Sequence, residues 1–165
     1  MSIISELNEL EPIRVKMIKN YYEVQKEKAR QLQDFRRFIS MRGSGNFIRE
    51  YLGSDLAFVR EWLSSMFIEG MTWENYGTLW VVDHIVPFRM FDLFNENDLK
   101  ICWNYRNLQP ILDDDNLKKQ GNSFFAFELL FERRNKDEIY KLLFDRIKPE
   151  VEWMVKYIDN YDKLK

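Results

Sequence analysis

The sequence predicts an α+β fold in which two short strands sit among helices. Three observations lead there. At both ends of the chain, apolar residues recur every three or four positions, the period of a helix with one buried side. In the middle, Leu79-Trp80-Val81-Val82 and Leu108-Gln109-Pro110-Ile111-Leu112 are short runs of strand character. With 165 residues, 45% apolar and 16% aromatic, the chain has enough material for one packed core with appendages.

Taken in order, the first element expected is a helix over 12–40. Ile13, Met17, Tyr21, Val24, Leu32, Phe35 and Ile39 form its apolar stripe, Lys28 interrupts it, and Pro12 suits the first turn. Arg42-Gly43-Ser44-Gly45 reads as a linker. Ser54 is the expected cap of a helix over about 55–67, with Leu56, Val59, Leu63 and Phe67 on one face and Gly70 as its stop. The first strand leads into Asp83-His84-Ile85-Val86-Pro87, and residues 96–104 read as a short helix. Pro110 confines the second strand to a sheet edge or a strand end. Asp113 or Asp114 then caps a helix over about 114–120 that Gly121 closes. Helical spacing resumes over 123–147 and 150–162, with Lys148-Pro149 between. Trp153, Tyr157 and Tyr161 recur every four residues, the spacing of a core stripe or, alternatively, of a dimer face.

Composition excludes several classes. No stretch approaches the roughly 20 apolar residues of a membrane span. The first residues lack an apolar targeting core and a cleavage site, which predicts a cytoplasmic protein. A single cysteine, Cys102, leaves no disulfide framework and no zinc site built on paired cysteines. Charge is uneven although the net is −2. Residues 12–49 hold ten Lys/Arg against three Asp/Glu, residues 53–116 four against eleven, and residues 117–148 eight against five. A basic arm, an acidic middle and a mildly basic tail suit a polyanion brought to a metal-binding centre; solvated helix faces are the plainer explanation.

The one histidine, His84, follows Asp83 at a strand end. A carboxylate beside an imidazole can set a metal ion next to a general base. Side chains alternate along a strand, so the strand has to end or bend for both to serve one site. Asn107 and Asn116 offer amide oxygens, neutral hard donors suited to Mg²⁺, Mn²⁺ or Ca²⁺; as a turn residue and a helix-surface residue they would need no such role. Lys118 and Lys119 lie within a turn of Asn116 and could meet a phosphate. Trp73 and Tyr76 are expected to pack the core, with stacking on bases as the alternative.

Together, Leu52-Gly53, Gly70-Met71-Thr72-Trp73-Glu74-Asn75-Tyr76-Gly77, Trp80-Val81-Val82-Asp83-His84-Ile85-Val86-Pro87, Tyr105-Arg106-Asn107-Leu108-Gln109-Pro110 and Asp115-Asn116-Leu117-Lys118-Lys119 resemble an HNH endonuclease. The likeness covers about residues 52–122 and is to proteins common in bacteriophages and large DNA viruses, many of them homing-type enzymes. It implies a central ββα-metal unit within a nuclease core over 46–122, between a basic helical arm over 1–45 and a helical cap over 123–165. Asp83 and Asn116 would bind Mg²⁺ or Mn²⁺, His84 would be the general base, and Asn107 would orient or support His84. Val81 stands where many relatives carry histidine, and the structural zinc of many relatives has no cysteines here. If the gene is a phage's, the compartment is the cytoplasm of a bacterial host.

The chemistry agrees with this family reading. Phosphodiester hydrolysis needs an activated water, relief of negative charge and a stabilised leaving oxygen. The expected ends are 5′-phosphate and 3′-hydroxyl. One centre cuts one strand, so a double-strand break needs a homodimer, a second binding event or staggered nicks. The expected partner is duplex DNA, held on phosphates by Arg36, Arg37, Arg42 and Arg49 of the basic segment together with Lys118 and Lys119. The competing reading is an HNH fold that no longer cuts and serves as a nucleic-acid-binding or protein-interaction module.

Overall fold

A computed structural model describes residues 3–41, 46–113 and 123–162, with side chains for 15–41, 48–113 and 126–156. The chain divides into two compact units, Met1–Gly45 and Asn46–Lys165.

In the first unit, helix α1 runs Ile3–Ile39. It begins well before Pro12, where the sequence predicts its first turn. Proline's fixed φ is helical, so the element continues at the loss of one backbone hydrogen bond. The expected apolar stripe divides along its length. Phe35 and Ile39 are buried, whereas Met17 and Tyr21 are 68% and 61% exposed.

In the second unit, a single turn α2 (Asn46–Arg49) precedes α3 (Leu56–Ser64). The cap of α3 is Asp55 rather than Ser54: its Oδ1 accepts from the Phe58 amide at 2.9 Å. A carboxylate satisfies the helix's open donors and also meets the positive end of its dipole. Strands β1 (Trp80–His84) and β2 (Leu108–Leu112) form an antiparallel pair with Trp80 opposite Leu112, Val82 opposite Pro110, Asp83 opposite Gln109 and His84 opposite Leu108. Among the described residues the sheet has two strands, so both are edges and Pro110 is tolerated. Between them lies α4 (Glu96–Cys102), whose first amides are capped by the Asn95 side chain. The helix expected over 114–120 lies outside the described residues. Mixed helix and a small antiparallel sheet make this an α+β protein.

The C-terminal helices break elsewhere than expected. α5 is Ser123–Arg133 and α6 is Glu138–Asp162, running through Pro149. The break falls at Asp137, whose side chain caps α6 by accepting from the Tyr140 amide at 3.1 Å. Ile147 and Val151, on either side of Pro149, are both buried, and their packing keeps the helix going past the proline. Trp153 is 63% exposed, which corrects its reading as core. It lies two residues beyond Val151, about 200° further round the helix. The side chains of Tyr157 and Tyr161 lie outside those described.

Aromatic residues build the core around the sheet. Trp80 is fully buried, its indole N–H donates to the Thr72 carbonyl at 2.7 Å, and Phe67, Trp73 and Tyr76 surround it with ring centroids 4.6–5.1 Å away. Trp73 and Tyr76 therefore pack the core, as expected. The full burial of Trp80 is worth about 2 kcal/mol, and its three neighbours are partly buried. Three ion pairs tie this region to α6 and its cap. Arg146 forks onto Asp98 at 2.6 and 2.9 Å and also donates to the Met90 carbonyl; Arg106 reaches Asp137 at 2.6 Å, and Arg89 reaches Glu150 at 2.7 Å. Burial disfavours the Asp98 charge, but hydrogen bonds from Arg146 and the Asp92 amide outweigh it, so its carboxyl lies below the ordinary value. Cys102 is buried, and that burial pushes its thiol well above the usual range.

Candidate active site

β1 ends at His84, and the chain then turns through Ile85 and Val86 to Pro87 and a short 3₁₀ turn, Phe88–Met90. β2 begins directly after Asn107, which closes another 3₁₀ turn, Tyr105–Asn107. The antiparallel register therefore brings Asp83, His84 and Asn107 to one end of the sheet.

Asn107 is fully buried and joins the turn after β1 to the end of α4. Its Oδ1 accepts from the Val86 amide at 2.8 Å, and its Nδ2 donates to the carbonyls of Val86 at 3.2 Å and Cys102 at 2.8 Å. Its own carbonyl accepts from the Ile85 amide at 2.8 Å. Asn107 thus holds the chain just after His84, together with the end of α4.

His84 is 5% exposed, and its Nε2 is buried. Phe88 and Trp103 lie against the ring, with centroids 4.2 and 4.6 Å away. Asp83, the preceding strand residue, is half-buried, and Gln109 across the ladder donates to its Oδ2 at a long 3.3 Å. Strand alternation sends the two side chains to opposite faces at the point where the strand stops.

Arg36, Arg37 and Arg49 are exposed. Asn116, Lys118, Lys119 and Arg42 lie outside the described residues. Among the described residues no three histidine, cysteine, aspartate or glutamate side chains come together. The expected set is smaller than that: one carboxylate and one amide, both hard oxygen donors, a chemistry that fits Mg²⁺ or Mn²⁺ with water and phosphate oxygens.

Sequence reasoning missed Phe88, Trp103 and Gln109. Phe88 stands four residues beyond His84, a spacing that identifies it only once the turn at Pro87 is known. Gln109 is reached through strand register and Trp103 through the placement of the end of α4, neither of which the long connection between the strands specifies in sequence.

Two proteins of Acanthamoeba polyphaga mimivirus are similar to this chain. Uncharacterized protein L426 is 42% identical over 62 residues, which is 38% of this chain and 27% of the relative. Uncharacterized protein L246 is 32% identical over 99 residues, or 53% and 44%. The chain thus spans less than half the length of these curated relatives. No family profile and no solved structure matches it. Among the described residues no helix is long and apolar enough to cross a membrane.

Proposed function

We propose that the chain is an HNH-type endonuclease that hydrolyses phosphodiester bonds in duplex DNA with Mg²⁺ or Mn²⁺. The observation that carries this reading is the end of the sheet: Asp83-His84 close one strand, Asn107 opens the other, and Asn107 fixes the backbone just beyond the histidine. With the helix expected over 114–120, the two strands would make up the ββα-metal unit. Asp83 and Asn116 would hold the ion, which when bound would neutralise phosphate charge and stabilise the departing 3′-oxygen.

His84 takes the proton of the attacking water. Phe88 and Trp103 screen the ring from bulk water. Arg36, Arg37, Arg42 and Arg49, with Lys118 and Lys119, meet phosphates and set position rather than sequence.

The low exposure of His84 favours the second reading, a module that binds without cutting. One experiment separates the two. Supercoiled plasmid is incubated with the protein in Mg²⁺, Mn²⁺ or EDTA, with His84→Ala alongside. Nicked or linear DNA is expected from the wild type only with metal, and the substitution is expected to slow it about 10²–10⁴-fold. Equal behaviour of the two proteins with every metal rejects the nuclease in favour of the binding module.

A further inference from the structure

We propose that Phe88 and Trp103 are positioning residues that hold the His84 imidazole in one orientation, and that Asn107 sets both of them. The kinetic half of this proposal rests on the nuclease reading; the half concerning ring orientation stands without it.

Three rings touch one another. The His84–Phe88 and His84–Trp103 centroids are 4.2 and 4.6 Å apart at interplanar angles of 46° and 77°, and Phe88–Trp103 are 5.3 Å apart at 72°. An imidazole swinging about its Cα–Cβ bond to another rotamer would sweep through the space these neighbours fill. The walls come from separate elements. Phe88 opens the 3₁₀ turn after Pro87, and Trp103 ends α4 with its amide donating to the Leu99 carbonyl at 3.0 Å. Trp103 is fully buried, so it cannot yield outward.

Asn107 connects the two walls. It grips Val86 at both N–H and C=O, two residues before Phe88, and it grips the carbonyl of Cys102, the residue before Trp103. One amide side chain therefore fixes the spacing between the backbones that carry the two aromatics. The expected support of His84 by Asn107 is then exerted through those rings. A catalytic nitrogen displaced by even an ångström loses much of its rate, which gives such bracing a purpose.

His84 is the chain's one histidine, so its imidazole signals are unambiguous by NMR. The test uses the full chain as wild type, Phe88→Leu, Phe88→Tyr and Trp103→Phe, with backbone amide spectra checking the fold. Hα–Hβ three-bond couplings of His84 report χ1 and are indifferent to the ring currents that the substitutions themselves remove. The wild type and Phe88→Tyr are expected to show one rotamer. Phe88→Leu and Trp103→Phe are expected to show averaged couplings, with plasmid-nicking kcat falling about tenfold or more while KM stays within about twofold. One unaveraged rotamer in both of those variants overturns the proposal, as does an averaged rotamer in the wild type. Averaged couplings in the variants of a wild type that never cuts DNA uphold the clamp and overturn the nuclease instead.

Discussion

At the scale of single residues, Asn107 has the most to lose. Its amide makes three hydrogen bonds to backbone while fully buried. Asn107→Ala strands the Val86 amide and two carbonyls in a dry place, at about 1 kcal/mol or more each. A loss of about 3 kcal/mol is expected in urea unfolding; a loss below about 1 kcal/mol would mean that water or a relaxed loop replaces the amide. Sequence singled out Asn107 but not its mode of action. Residue type told that an amide was there, whereas the groups it grips depend on how Val86 and Cys102 come together.

At the scale of elements, the pairing of α4 with α6 carries a pH signature. Asp98 on α4 receives the Arg146 fork from α6, and its carboxyl lies below the ordinary value of 3.8. A depressed folded-state value stabilises the fold above about pH 4, and the contribution fades as pH falls through it. Asp98→Asn is therefore expected to lower the urea midpoint at about pH 7 and to flatten the loss of stability as pH falls below about 4. Parallel pH profiles for the two proteins would show that the pair contributes nothing. Element types were legible from period and turn residues: the strand expected at Leu79–Val82 appears at Trp80–His84, and the edge strand around Pro110 and the short helix near residue 96 also appear. Helix ends were less so. Pro149 looks like a stop, yet buried Ile147 and Val151 override it, and tertiary packing of that kind leaves no local mark.

At the scale of the whole molecule, charge distribution is the readable feature. Residues 12–49 carry a net +7 and residues 53–116 a net −7, so a net of −2 conceals two opposite fields. On the proposed function, the basic segment neutralises DNA phosphates. Replacing exposed Arg36 and Arg37 by alanine is expected to weaken binding to duplexes of any sequence alike. The slope of log K against log salt should become shallower by about 0.9 for each phosphate that is no longer neutralised. An unchanged slope would place phosphate binding elsewhere on the chain. The candidate site was half legible in sequence. Asp83 and His84 declare themselves by adjacency and Asn107 by its block, but the aromatic walls belong to the fold rather than to any motif.

Cys102 gives this core a built-in clock. Its carbonyl is gripped by Asn107, and its thiol is buried and held protonated. A thiol reagent in solution can react only when a local opening exposes the end of α4. Because no other cysteine competes, the labelling rate of the unaltered protein counts how often the end of α4 that Asn107 holds comes open.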